Sequence, residues 1–275
     1  MTSIALTSTQ LPRTIRSADG DLTAAGMMNS EWIKFRTLRS SWLTLAGAVL
    51  VMIVFGAIFG ASTSTANWAK LGADSRAATG SLGGYQVAEL VIGVLGVLFV
   101  TGEYATGMIR STFAAVPRRL PVLAAKSSVF ATISVVTMTV ASFAAYFSAQ
   151  AFLASHGHGS SLSTPGALRS VAGVGVYLAL IGGLGGALGW IVRSTAGGIS
   201  ALVGIMLILP AVVGLLPSGI GDAITKCLPS QAGGAFITAA QHAGALSPWT
   251  GLGVLTLWVA GAFAIATVLI RRRDA

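Results

Sequence analysis

Six stretches of this chain are about as long as a bilayer is thick and carry almost no charge. They are residues 42–61, 85–101, 127–154, 171–192, 198–216 and 250–270. About 20 mostly apolar residues make one helical span, and Glu89 is the only charged residue in any of the six. Lipid offers backbone groups no hydrogen-bond partners, so each run must satisfy its own as a helix. The alternating pattern of barrel strands is missing. Only 9% of the 275 residues are charged, against about 25% in soluble domains. The fold class expected is therefore all-α, a polytopic membrane protein with six transmembrane helices.

Charge then orients the spans. Thirteen Lys and Arg residues fall in one alternating set of flanks, before the first span, between the second and third, between the fourth and fifth, and after the sixth. Four, namely Lys70, Arg76, Arg169 and Lys226, fall in the other set. Basic flanks stay in the cytoplasm, so both termini are expected there, in a multi-pass protein of the cell membrane. Trp42, Trp68, Trp190 and Trp249 lie at or beyond span ends, where amphipathic rings favour the interface. Trp258, inside the sixth span, does not follow this rule. The net charge of +9 is thereby explained by topology. No basic stripe is interleaved with aromatics, which argues against nucleic acid as a partner.

Residues 1–29 read as a disordered cytoplasmic tail, without the basic, apolar and small-residue order of a cleaved signal. Residues 30–41, SEWIKFRTLRSS, read as an interfacial elbow helix, with Lys34, Arg36 and Arg39 available to lipid phosphates. Residues 42–275 form the six-span domain.

The segment between the second and third spans, GEYATGMIRSTFAAVPRRLPVLAAK, is the most informative. Ile109, Phe113 and Val116 recur at i, i+4 and i+7 and make one apolar stripe. A short amphipathic helix outside the bilayer needs something to cover that stripe, either another protein or the lipid interface. Gly107 suits a tight turn before it, and Glu103 and Arg110 can hold its ends by charge-assisted hydrogen bonds.

The elbow SEWIKFRTLRSSWLTL, the loop GEYATGMIRSTFAAVPRR with its following LAAK, and the tail LIRRRDA together resemble actinobacterial ABC transporter permeases of the type-2 exporter family. The resemblance runs from Ser30 to the last residue. It implies six spans, an elbow helix, and a cytoplasmic coupling helix that carries Glu103, Gly107, Ile109, Arg110 and Phe113. It also implies a second permease subunit, two ABC ATPase subunits as partners, and a partly re-entrant external segment before the last span. The chain has no G-x-x-x-x-G-K-[ST] phosphate loop, so a separate chain would hydrolyse the ATP. The subunit itself would be non-catalytic and without a cofactor.

Other features are less specific. Glu89 is an intramembrane acid, a candidate for a substrate path or for pairing with Arg76 or Arg169. Gly182, Gly185, Gly186 and Gly189 form small-xxx-small pairs suited to close packing within the subunit. Pro210 is expected to kink the fifth span. His156, His158 and His242 lack the acids or thiols of a metal site. Cys227 is a lone thiol in apolar surroundings and is expected to be inert. Three rival readings are a secondary transporter, an integral-membrane enzyme and a non-transporting membrane factor. The first lacks paired broken helices, and the second lacks a cluster of acids, histidines or a nucleophile.

Overall fold

The computed structural model describes residues 23–63, 74–116, 118–155, 159, 161–217, 219–239 and 244–272. Every regular element among them is helical. Six helices are long and apolar enough to cross a membrane: Arg39–Ser62 (α2), Tyr85–Ala105 (α4), Arg119–Ser155 (α6), Ala167–Val192 (α7), a fifth over Thr195–Val213, and Pro248–Arg272 (α12). The chain is an all-α, multi-pass membrane protein. Shorter helices are Ala24–Thr37 (α1), Asp74–Gly80 (α3), Met108–Ala115 (α5), Ile220–Lys226 (α10) and Pro229–Ile237 (α11). One end of the bundle, where α2 and α6 begin and α4, α7 and α12 finish, carries most of the basic residues. We call it the basic end, and the opposite one the far end.

α7 is the central helix and is buried along most of its length. Its glycine stripe explains why. A Cβ on Gly185 would stand 2.1 Å from the Gly93 carbonyl oxygen of α4, and one on Gly96 would stand 2.0 Å from that of Gly182. The two backbones touch, as small residues allow in lipid, and the stripe serves packing within the chain. Peripheral helices leave apolar side chains outward, including Leu43, Leu50 and Ile58 on α2 and Val136 and Val140 on α6. A membrane solvates such faces at no cost.

Several boundaries differ from those read in sequence. The elbow helix begins at Ala24, six residues before Ser30, because the Thr23 hydroxyl caps it by accepting from Gly26 N at 3.2 Å. It ends at Thr37, and extended Leu38 separates it from α2 at Arg39. Of the expected tail, residues 1–22 lie outside the described residues. α6 starts at Arg119 rather than at 127. With 37 residues it is about 55 Å long and extends beyond the hydrocarbon core.

In the fifth span, α8 (Thr195–Val203) passes through a π-helical turn, Gly204–Ile208, into α9 (Leu209–Val213). Proline has no N–H, and its ring crowds the carbonyl four residues earlier. The widened turn immediately before Pro210 takes up that crowding, so the irregularity lies at residues 204–208.

α10 and α11 form a helical hairpin that dips into the bundle. Trp258 Nε1 donates to the Cys227 carbonyl at 2.8 Å. Trp258 lies ten residues inside α12, about 15 Å below its start, so the α10–α11 turn reaches the middle of the last span. This contact accounts for the tryptophan that the interface rule left unplaced. Trp190, by contrast, is no interfacial anchor: it is fully buried, edge-on to Tyr104. Trp68 lies outside the described residues.

Candidate functional site

Two places gather the residues singled out in sequence, one at each end of the bundle.

At the basic end, Gly107 precedes α5 with φ +73°, and a Cβ there would meet nothing within 4 Å. The left-handed backbone is what calls for glycine, not an obstruction. α5 is then laid against the bundle. Ile109, Phe113 and Val116 are buried in a cluster with Val100, Val122, Leu123, Trp190, Ala266 and Ile270. The sequence reading that this stripe needs an outside partner is thus corrected: the ends of α4, α6, α7 and α12 cover it. Sequence could not show that four spans converge beneath the loop. Arg119 lies with its guanidinium 5.3 Å from the Phe113 ring centre and donates to the Ile270 carbonyl at 3.1 Å. The outward face of α5 carries Met108, Arg110, Ser111, Ala114 and Ala115.

Glu103 also faces inward. It belongs to a group of four charges that joins α1, α4 and α6. Lys126 Nζ donates to Glu31 Oε2 at 2.5 Å and to Glu103 Oε1 at 2.8 Å, and Lys34 Nζ donates to Glu31 Oε1 at 2.6 Å and to Glu103 Oε1 at 2.8 Å. Lys126 is 1% exposed, Glu31 3% and Glu103 7%. The Lys126 ammonium also sits 4.3 Å from the centre of the Phe99 ring. Burial pulls the Lys34 ammonium down, but the Glu103 and Glu31 carboxylates outweigh it and hold its pKa above the ordinary lysine value. The expectation that Glu103 holds the end of α5 is therefore replaced: it binds the elbow to the spans that flank α5. Sequence reasoning misses Glu31, reads Lys126 only as a topology charge and places Lys34 at lipid phosphates. The legible signal was an elbow acid three residues before a lysine, with a second lysine at the start of an apolar run.

At the far end, Glu89 lines a cavity of about 540 Å³ with Gln86, Met206, Pro210, Gln231 and Thr238 among its neighbours. The buried Tyr177 hydroxyl of α7 donates to Glu89 Oε2. Tyr85 meets Tyr177 edge-on at 5.8 Å. The π-turn contributes Met206 and Leu207 to the wall, and the dipping helix α11 contributes Ser230, Gln231 and Gly234. Glu89 does not pair with Arg169, whose guanidinium instead donates to the carbonyls of Phe236 and Thr238 and fastens the end of α11 to α7. The side chain of Arg76, the other suggested partner, lies outside the described residues, as do His156, His158 and His242.

No protein-family model matches the chain, and no curated protein matches it either.

Proposed function

We propose that this protein is the permease subunit of an ATP-driven ABC exporter of the cell membrane, with its basic end and both termini in the cytoplasm. It forms the substrate pathway with a second permease subunit, and separate ATPase subunits drive it. The observation that carries this reading is the footing of α5. A helix of eight residues is held under four spans by Ile109 and Phe113, with Val116 buried just after it, and its opposite face, with Arg110 and Met108, is left outward. A partner pressing on that face moves the span ends as a body, since a close-packed junction transmits displacement. The buried charges beside it extend the same body to the elbow. The sequence resemblance and the absence of a phosphate loop agree with this division of labour. Thirteen basic residues against four support the orientation.

The test is affinity capture of the tagged chain from gently solubilised membranes. An ATPase subunit is expected to come with it, and its consistent absence counts against the proposal. One feature favours a secondary transporter instead, namely the Glu89 acid at a far-end cavity. That alternative predicts transport driven by an ion gradient in vesicles without any ATPase.

A further inference from the structure

Glu89 is an acid in a span, and among the described residues no basic side chain stands within ion-pair distance of it. Tyr177 satisfies part of one carboxylate oxygen. Arg169 is engaged by backbone carbonyls. Lys226 approaches Gly244, next to the rim residue Ala245, and does not itself line the cavity. A carboxylate within a bilayer is costly unless it pairs or meets water. Its cavity has the size of a small-molecule site, roughly 300–1,000 Å³.

The wall has two characters. Tyr85, Met206, Leu207 and Pro210 make an aromatic and apolar side, while Gln86 and Gln231 bring amides. Aromatic faces attract cations, and thioether and proline surfaces accept apolar bodies. The widened π-turn, a feature frequent at functional sites, is what places Met206 and Leu207 beside Pro210.

The geometry points to a binding site for a cationic amphiphile, its positive centre against Glu89 and the Tyr85 ring and its apolar body along Met206, Leu207 and Pro210. The inference rests on reading the chain as a transporter and names the class of its cargo. Among the described residues the wall offers an anion only neutral hydroxyls and amides and sets the Glu89 carboxylate against it, and a neutral apolar molecule would bring Glu89 no counter-charge.

The test needs no ATPase, so its outcome is separate from that of the capture experiment. The purified chain is placed in lipid nanodiscs with radiolabelled tetraphenylphosphonium, and displaceable binding is measured. Saturable binding is expected, with neutral triphenylphosphine oxide failing to compete. Glu89→Gln preserves shape and still accepts from Tyr177, and it should weaken binding by roughly tenfold or more, the coulombic scale of one partly desolvated charge pair. Gly234→Leu is the second variant. A Cβ there meets only the Tyr85 hydroxyl, at 4.0 Å, so the larger side chain projects into the cavity with Glu89 intact, and binding should be lost. Thermal melts of both variants serve as the check that they are folded. Equal binding by wild type and Glu89→Gln overturns the proposal, as does undiminished binding by Gly234→Leu or an absence of saturable binding by the wild type.

Discussion

Lys126→Met is expected to remove about 3–5 kcal/mol of stability and to lower the thermal midpoint of the purified protein sharply. Lys126 holds two buried carboxylates at 2.5 and 2.8 Å. Without it, Glu31 and Glu103 share Lys34, which is a quarter exposed and has to neutralise both. Breaking a buried ion group is costly because a charge remains behind without its partner. The second-site change Glu103→Leu removes that stranded acid and leaves Glu31 with Lys34. The double variant Lys126→Met/Glu103→Leu should recover most of the loss. If Lys126→Met costs no more than the roughly 0–1 kcal/mol of an exposed pair, the group is wet and does not tie the elbow to the spans.

Phe113→Ala is expected to cost about 3–5 kcal/mol, the range for emptying a buried aromatic position. The ring stands among Val122, Leu123 and Trp190, with the Arg119 guanidinium over it. Its removal should loosen α5 from the span ends and show as a lower thermal midpoint, while the folded fraction still captures the ATPase. Arg110→Glu should behave in the opposite way. The residue is exposed, so stability should stay within about 0.5 kcal/mol, and ATPase capture should fail. A variant pair with these two effects exchanged would mean that the inward and outward faces of α5 are wrongly assigned.

The spans were legible because lipid imposes a simple rule on composition, and six apolar runs became six helices. The glycine stripe was legible for a related reason, since close approach leaves room only for hydrogen in place of a side chain. Contacts between distant segments were not. The heptad-like spacing of Ile109, Phe113 and Val116 announced an apolar face correctly, but which surface covers it depends on where residues near 190 and 270 return in space. Glu103 reads as a loop charge in sequence because its partners lie on α1 and α6, 69 residues upstream for Lys34 and 23 downstream for Lys126. Tyr177 gave no sign of reaching Glu89, since the two are 88 residues apart. The start of the elbow is not legible because Thr23, the residue that caps it, stands in a polar stretch with no apolar pattern after it to mark a helix. The widened turn before Pro210 had a readable cause, although its form as a π-helix did not.

The proposed coupling makes one demand that separates it from every rival: the outward face of α5 must touch an ATPase. The most direct measurement is site-specific photocrosslinking in intact cells from benzoylphenylalanine placed at Ser111, on the outward face, and at Val122, in the covered cluster. The account predicts a crosslinked product between position 111 and a nucleotide-hydrolysing subunit, with position 122 giving only products within the chain. Crosslinking of position 111 to lipid or to the chain alone, across cells that express the protein at normal levels, would contradict it.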